Sequence, residues 1–169
     1  MIIERIRAMP SRWTFTIPPI KRLLAEEGAG IGDWVDPFAG QHSPAAITND
    51  LNPAASALHH EDALLFCRHL LSNSADGVLF DPPYSITQAK ECYDSFGLEK
   101  PAINVSSMAY WAGVKDELAR ILRPGGKAIC CGWSSMGLGK SRGFTMTRIL
   151  LVPHGGSKND TIVTVEVKA

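Results

Sequence analysis

The sequence lacks any long apolar run, although 45% of its 169 residues are hydrophobic. No stretch approaches the roughly 20 apolar residues that span a bilayer. The first residues, MIIERIRAMPSRW, carry charges where a signal peptide would need apolar side chains. We therefore expect a soluble intracellular chain with no membrane partner, folded as a single domain over residues 1–169.

Cysteine is scarce, and its spacing excludes two further classes of protein. The four cysteines form no CxxC pair and have no histidine at ligand spacing, so neither a disulfide framework nor a zinc site is indicated. His59 and His60 are adjacent and would point to different sides of a helix, so we interpret them as surface residues. The sequence predicts no metal site. We interpret its cysteines as small, buried hydrophobic residues.

The formal net charge of the chain is zero at pH 7, but the charges are distributed unevenly along the sequence. Residues 1–32 hold five Lys/Arg and three Asp/Glu, residues 33–99 hold two and ten, and residues 100–169 hold ten and four. The balances are therefore +2, −8 and +6. The last third could supply a basic face for nucleic acid, or its cations could be ordinary solvated charges. The candidates for such a face are Arg120, Arg123, Lys127, Lys140, Arg142 and Arg148.

Short β-branched runs alternate with amphipathic stretches, which predicts an α/β sheet. We expect helices over Thr16–Gly28, over HHEDALLFCRHLLSN (59–73) and over MAYWAGVKDELARIL (108–122), the last ending before Arg123-Pro124-Gly125-Gly126. The predicted strands lie in GDWVDPFAG, AITNDLNP, DGVLFDPPY and KAICCGW, and RILLVP and TIVTVEVK form a closing pair. Residues 85–107 are expected to be polar and irregular.

The first crossover of this sheet is unusually short. Only six residues, QHSPAA, separate Gly40 from the strand at Ile47, whereas a parallel crossover normally needs about a dozen or more and usually a helix. We therefore expect the first crossover helix to be abbreviated or missing. Our hypothesis is that the N-terminal helix or a second subunit, in a homodimer, covers the sheet face that this leaves bare.

The stretch GVLFDPPYS (77–85) carries the most specific chemistry. Pro82 and Pro83 fix their own φ and push the preceding residue out of the helical region, so the backbone after Asp81 is stiff. Asp81 and the Pro82 carbonyl then offer fixed acceptors where open α/β sheets place ligands, and Tyr84 offers a flat face. Together they suit an exocyclic amino group on a planar ring.

DPPY (81–84) resembles the catalytic signature of amino-methyltransferases, which use S-adenosylmethionine to methylate N6 of adenine or N4 of cytosine in DNA. VDPFAG (35–40), TNDLNP (48–53), EDA (61–63) and FTIPPIKRLL (15–24) resemble the cofactor-binding segments of that family, in the expected order. The chain is most similar to small phage-type adenine methyltransferases, including in its tail, LLVPHGGSKNDTIVTVE. The resemblance implies a Rossmann-like class I methyltransferase sheet with helices on both faces.

The resemblance also implies which residues form the site. The implied catalytic residues are Asp81, Pro82, Pro83 and Tyr84. The implied S-adenosylmethionine contacts are Phe15, Thr16, Ile17, Asp36, Pro37, Phe38, Ala39, Gly40, Asp50, Leu51, Asp62 and Ala63. Our candidates for contacts to DNA are Ser85, Lys140 and Arg142. Trp13 and Trp111 are interpreted as core or interface residues.

DNA is the implied partner, in the cytoplasm of a bacterial, archaeal or phage-infected cell, and the target base would flip out of the duplex. No part of the chain is left for a separate recognition domain, so we expect a short or relaxed target sequence. Only residues 85–107 and 134–143 are free to read bases.

Other activities stay open. N4-cytosine methylation shares the chemistry, although DPPY favours adenine over the SPPY usual for cytosine. Methylation of RNA or of a protein glutamine would use a similar pocket, and those relatives more often show NPPY. C5-cytosine methylation is disfavoured because the sequence has no Pro-Cys pair. The chain could also be a catalytically silent module that binds S-adenosylmethionine.

Overall fold

The computed structural model describes residues 1–85, 88, 91, 94, 108–156 and 158–169. Within them, seven strands form one sheet in the order β1-β6-β7-β5-β4-β2-β3. Strand β7 runs antiparallel to both of its neighbours, and the other pairings are parallel. The strands are β1 Ile2–Arg5, β2 Trp34–Asp36, β3 Ile47–Thr48, β4 Ala75–Phe80, β5 Leu122–Gly132, β6 Phe144–Val152 and β7 Thr161–Lys168.

Helices cover both faces of this sheet, as the sequence predicts. Helix α1 (Pro18–Glu26) lies on one face, and α2 (Ala63–His69) and α3 (Met108–Ile121) lie on the other. Short 3-10 helices span Thr14–Thr16 and Lys140–Arg142. The three predicted helices are therefore present, each shorter than its predicted range. Residues 86–107 lie, apart from residues 88, 91 and 94, outside the described part of the chain.

The first crossover contains no helix, which confirms the expectation from its length. Residues 37–46 connect β2 to β3 without regular structure. Helix α1 covers the face next to this crossover, because its buried Ile20, Leu23 and Leu24 pack with Trp34 and with residues of β4 to β7. The N-terminal helix therefore does cover this face. A homodimer contact over part of it stays a prediction.

The N-terminal strand β1 was missed by the sequence analysis. Its residues pair in parallel with β6, from Ile2 opposite Arg148 to Arg5 opposite Leu151. Ile2 and Ile3 are 59% and 60% exposed, so this edge strand shows no alternation of buried and exposed side chains. Without that alternation, the sequence carries no periodic signal for a strand.

Strand β5 begins earlier than predicted, directly after α3. Ala75 lies opposite Leu122 but Gly77 lies opposite Lys127, so the residues Arg123–Gly126 form an irregularity inside the strand. Pro124 has no N–H for the ladder, and Gly125 takes a φ of 78°. The RPGG stretch was interpreted as a break between two elements, whereas the strand continues through it.

Two further elements are shorter than predicted. Strand β3 ends at Thr48, because Asn49 pairs with His59 in an isolated bridge. The same pairing holds His59 in extended backbone, so α2 begins only at Ala63, after its N-cap Asp62. Both differences come from a contact between residues ten apart, which local sequence patterns do not report.

The described cysteines are buried, as the sequence analysis predicts. Cys67, Cys130 and Cys131 are buried and free, and burial raises the pKa of the thiols of Cys67 and Cys130 to about 12. Cys92 lies outside the described residues. Among the residues that the structure describes, no helix has the length and apolar character to cross a membrane, and no group of side chains is suited to hold a metal ion.

A buried ion-pair network ties β1 and α1 to the rest of the sheet. Arg148 of β6 is only 10% exposed, and its guanidinium contacts Glu4 at 2.5 Å, Glu26 at 2.7 Å and Glu27 at 3.3 Å. Lys127 of β5 contacts Glu27 at 2.9 Å. Since Glu4 belongs to β1 and Glu26 to α1, one arginine joins three elements from distant parts of the sequence.

We expect Arg148→Met to lower the free energy of unfolding by about 3 kcal/mol, because the substitution removes a largely buried cation from three carboxylates. Arg22 pairs with Glu4 and Glu26 but is half exposed, so Arg22→Met should cost no more than about 1 kcal/mol. Urea denaturation of both variants measures this difference. Equal losses would contradict the role assigned to Arg148.

Candidate active site at the carboxyl edge of the sheet

One cavity of about 530 Å³ lies where β2, β3 and β4 end. These strands are parallel, so the segments that follow Asp36, Thr48 and Phe80 meet at the same edge of the sheet. Twelve of the predicted site residues line this cavity. They are Phe15, Pro37, Phe38, Ala39, Gly40, Asp50, Leu51, Ala63, Asp81, Pro82, Pro83 and Tyr84.

The remaining predicted site residues do not line the cavity. Thr16 and Ile17 lie next to Phe15, with Thr16 exposed and Ile17 buried in the core. Asp36 and Asp62 lie behind the cavity wall and make internal hydrogen bonds. The three candidates for DNA contacts, Ser85, Lys140 and Arg142, also lie outside it.

Asp81 and Tyr84 are hydrogen-bonded to each other. The Tyr84 hydroxyl donates to Oδ1 of Asp81 at 2.5 Å, and the Tyr84 N–H donates to Oε1 of Gln88 at 2.9 Å. The Tyr84 ring meets the half-exposed Trp133 edge to face, with 5.7 Å between ring centroids. The DPPY turn is therefore held in one conformation by its own side chains as well as by its prolines.

The environment of Asp81 makes its carboxylate a strong acceptor. Loss of water around the carboxyl group raises its pKa, and hydrogen bonds from the hydroxyls of Tyr84 and Thr14 partly oppose this. The pKa of Tyr84 is raised as well, chiefly by burial and by the Asp81 charge, so Tyr84 keeps its proton. In this low-dielectric setting, a donor placed against Asp81 interacts more strongly than it would in water.

Asp50 links the ends of β2 and β3. Its Oδ2 accepts the Gly40 N–H and its Oδ1 accepts the Asn52 N–H, both at 2.8 Å. An ionised carboxylate has about four acceptor positions, so each oxygen keeps capacity for another donor on the cavity side. Gly40 itself has a φ of 56°, and an added Cβ would lie 3.3 Å from the Trp13 ring.

Asp36 holds the helix-free crossover in place from below the cavity. It is fully buried, and its carboxylate accepts the Ser43 hydroxyl at 2.6 Å and the Phe38 N–H at 2.9 Å. Burial raises its pKa to about 7, and the nearby charges of Asp81 and Asp50 contribute in the same direction. Asp36 therefore shapes the site without reaching its surface.

Asn49 is a structural residue that the sequence analysis missed. It is fully buried, and its amide donates to the carbonyls of Pro37 and Glu61 and accepts the Glu61 N–H, at 3.0–3.2 Å. These bonds join three of the segments that surround the cavity. The only signal in the sequence was its place beside Asp50, where an asparagine is equally typical of an ordinary turn.

The interpretation of Trp13 and Trp111 as core or interface residues was incomplete, because both are half-buried and line the cavity. Trp13 packs edge to face on His42 at 5.6 Å, and Arg12 stacks on the Trp13 ring with 4.6 Å to its centroid. Trp111 contacts the Phe38 ring at 6.0 Å. The cavity therefore has aromatic walls, as sites for planar ligands do.

Asp62 serves as the N-cap of α2. Its Oδ1 accepts the N–H groups of Leu64 and Leu65, and its Oδ2 accepts the Tyr110 hydroxyl at 2.8 Å. These bonds hold the N-terminus of α2, and with it Ala63, against the cavity. The predicted contact between Asp62 and a cofactor stays a prediction.

The candidates for DNA contacts are dispersed. The Ser85 hydroxyl accepts the Gln88 N–H at the start of the partly described segment. Lys140 is exposed, whereas Arg142 bonds Asp116 at 2.6 Å and the carbonyls of Leu138 and Ala112. Arg142 therefore has a structural role that anchors the loop 133–143 to α3.

No protein-family model matches the chain, and no curated protein matches it in sequence. Solved structures do resemble it. TrmN from Thermus thermophilus has a TM-score of 0.54 and 17% identity, over 90% of this chain and 49% of TrmN. The 1,6-didemethyltoxoflavin-N1-methyltransferase from Burkholderia thailandensis, crystallised with S-adenosylhomocysteine, scores 0.62 at 13% identity, over 94% and 80% of the two chains.

The N-methyltransferase NodS from Bradyrhizobium japonicum WM9 scores 0.60 at 11% identity, over 89% of this chain and 93% of NodS. The chain thus spans about half the length of TrmN and most of the other two proteins. Similarity at these identities shows the fold. The predicted fold class, a Rossmann-like methyltransferase sheet, is confirmed.

Asp36 should make stability depend on pH. In the folded chain Asp36 keeps its proton up to about pH 7, whereas in the unfolded chain it releases the proton near pH 3.8. The stabilisation is therefore complete below about pH 4 and is lost as pH rises towards 7. Asp36→Asn removes this pH dependence, which amounts to at most about 1.4 kcal/mol of unfolding free energy per pH unit.

Urea denaturation between pH 5 and pH 8 tests this. The free energy of unfolding of Asp36→Asn should rise relative to that of wild type up to about pH 7. Above pH 7 the difference should stay constant. A constant difference between wild type and Asp36→Asn over this range would contradict the prediction.

Proposed function

We propose that the chain transfers a methyl group from S-adenosylmethionine to the exocyclic N6 amino group of adenine in DNA. The observation that carries the proposal is one shared cavity. The DPPY turn, the segment 37–40 and Asp50 all line it, although 40 residues lie between Gly40 and Asp81 in the sequence. The similarity in fold to methyltransferase structures supports the methyl-transfer part of this proposal.

The residues present fit the cofactor. A volume of about 530 Å³ is within the range of small-molecule sites, roughly 300–1,000 Å³. Asp50 would accept the two ribose hydroxyls with the acceptor capacity left by its backbone bonds, and Phe38 and Ala39 would lie along the ligand. When bound, S-adenosylmethionine supplies an electrophilic methyl group on a sulfonium.

The chemistry asked of the DPPY turn is to improve a poor nucleophile. The lone pair of an aryl amine is delocalised into its ring. Asp81 and the Pro82 carbonyl would accept hydrogen bonds from the two N–H groups of the amine. These bonds favour a tetrahedral nitrogen, whose lone pair can then point at the methyl group. Fixed acceptors contribute through orientation and electrostatics, because they need no rearrangement during the reaction.

Tyr84 has two roles in this proposal. Its ring supplies a flat face for the base, and its hydroxyl occupies Oδ1 of Asp81 before substrate arrives. An incoming amino group would replace that hydroxyl as the donor, so the carboxylate is never left without a partner in a dry site. The edge-to-face contact with Trp133 keeps the ring at the mouth of the cavity.

The target base has to leave the duplex to reach Asp81, because its amino group is paired inside the helix. The aromatic side chains Trp13, Phe38 and Trp111 line the cavity and suit a planar base or the planar part of the cofactor. DPPY favours adenine over cytosine, and we therefore name N6-adenine as the product.

The direct test is transfer of a labelled methyl group from S-adenosylmethionine to mixed-sequence DNA, followed by nucleoside digestion and mass analysis. Label in N6-methyladenine supports the proposal. Label in N4-methylcytosine, or only in RNA or protein, would overturn the assigned substrate but leave methyl transfer standing. Cofactor binding without transfer to any of these would favour a silent module.

Asp81→Asn should lower the rate of methyl transfer by at least about 100-fold, because it removes the charge of a fixed acceptor. Binding of S-adenosylmethionine, followed by calorimetry, should stay close to wild type. The catalytic assignment of Asp81 would be wrong if the variant kept near-normal transfer.

Tyr84→Phe and Tyr84→Ala separate the ring from the hydroxyl. The Phe variant keeps the flat face, so it should retain more activity than the Ala variant, whose KM for DNA should rise most. Both should fold, which circular dichroism can check, since Tyr84 is only half-buried. Equal activity in the two variants would remove the stacking role.

A further inference from the structure

Most of the candidates for a basic face in the last third of the chain pair with carboxylates. Of the six candidates for a basic face, five pair with carboxylates, and only Lys140 does not within the described residues. The pairs are Arg120 with Glu117, Arg123 with Asp33 and Asp76, Lys127 with Glu27, Arg142 with Asp116, and Arg148 with Glu4, Glu26 and Glu27. All four arginines of this third are therefore paired with carboxylates, and its described cations without such a partner are lysines.

The free arginines lie instead in the N-terminal segment. Arg5, Arg7 and Arg12 are exposed, and none of them makes an ion pair with any other residue that the structure describes. Residues 5–12, RIRAMPSR, follow Glu4 and contain no acidic residue. We call Arg5, Arg7 and Arg12 the arginine track.

The arginine track is held in a defined backbone conformation. The Ile6 N–H donates to the Leu151 carbonyl at 2.9 Å, and the Ala8 N–H donates to the Pro153 carbonyl at 3.1 Å, so the chain continues the extended pairing of β1 with β6. The buried imidazole of His154 lies 2.9 Å from the Ala8 carbonyl. These bonds place the segment at the carboxyl edge, the edge that carries the cavity.

Alternation in this extended segment sets the direction of the side chains. Ile6 and Ala8 pack against the core under α1, so Arg5 and Arg7 point away from it. The guanidinium of Arg7 lies beside Gly155, in the loop between β6 and β7. Two arginines are therefore presented to solvent on one side of the edge.

The track reaches the cavity through Arg12. Arg12 and the neighbouring Ser11 line the cavity, and Arg12 stacks on Trp13, 4.6 Å from its ring centroid. A guanidinium stacked on a ring keeps its N–H groups in its own plane, where they can bind phosphate oxygens. The arginine track thus begins at the end of β1 with Arg5 and reaches the cavity lining at Arg12.

We propose that the arginine track binds the sugar-phosphate backbone of the DNA whose base enters the cavity. This inference rests on the proposed function, and it replaces Arg142 as the source of phosphate contacts. Three guanidinium groups along an extended edge match a ligand with regularly repeated negative charges. Contacts of this kind position a strand without reading its sequence, which agrees with the expected short or relaxed target sequence.

Salt dependence of DNA binding tests the track directly. Fluorescence anisotropy of a labelled 24-nucleotide DNA, as duplex and as single strand, gives the slope of log K against log salt concentration between 50 and 200 mM. Arg5→Gln/Arg7→Gln should reduce the magnitude of the slope by about 1.8 on the duplex and about 1.4 on the single strand, from 0.9 and 0.7 per phosphate contact.

Arg68→Gln is the matched control. Arg68 is also exposed, but it lies in the last turn of α2, from which the chain returns to the amino end of β4, opposite the cavity. The salt slope of Arg68→Gln should equal that of wild type. Arg7→Gln alone should instead reduce the magnitude of the slope by about 0.9 on the duplex. S-adenosylmethionine binding should be unchanged in Arg5→Gln/Arg7→Gln, which shows that the variant is folded.

A wild-type slope in Arg5→Gln/Arg7→Gln, or an equal reduction in Arg68→Gln, would overturn the arginine track. Failure of the wild-type chain to bind either DNA would overturn it too. These outcomes are separable from failure of the proposed function. Labelled N6-methyladenine formed with a wild-type salt slope in Arg5→Gln/Arg7→Gln would refute the track alone. The predicted reduction of the slope in that variant, without methyl transfer by the wild-type chain, would refute the enzyme alone.

Discussion

The crossover from β2 to β3 is the constraint on which the site depends. Ten residues, 37–46, make a parallel connection that normally takes a helix. The buried carboxylate of Asp36 makes this possible, because it holds Ser43 and the Phe38 N–H and so folds the connection back on the end of its own strand. The backbone from Pro37 to Gly40 is left facing the cavity, and Asp50 fixes its far end. Helix α1 then covers the sheet face that a crossover helix would have covered.

Three carboxylates, Asp36, Asp50 and Asp81, lie at the same edge of the sheet, and each is satisfied in a different way. Asp36 is fully buried and has a pKa raised to about 7, so it is largely neutral below that pH. Asp50 is held by backbone N–H groups, and Asp81 by the hydroxyl of Tyr84. Only Asp50 and Asp81 reach the cavity. The edge therefore presents two separate carboxyl acceptors to one cavity.

The pairing of the charges matters as much as their number. Cations in the last third of the chain serve to hold elements together, as Arg148 does for β1 and α1 and Arg142 does for the loop 133–143. The N-terminal segment keeps its arginines unpaired because its inward side chains, Ile6 and Ala8, supply the packing that fixes it. A net charge of zero is thus compatible with a locally basic edge beside the cavity.

The sequence by itself determined the fold class, the closing pair of strands, the absence of the crossover helix and the DPPY turn. These features depend on local signals, namely side-chain alternation, chain length between elements and the stiffness of Pro82-Pro83. Only the tertiary structure decided that β1 is a strand, that β5 continues through Pro124, that Asp62 and Arg142 make internal bonds, and that Trp13 and Trp111 line the cavity. Each of these depends on a partner distant in sequence, such as β6 for β1 or Tyr110 for Asp62. Local sequence patterns carry no information about such partners, because burial and ion pairing are fixed only when the sheet brings the segments together.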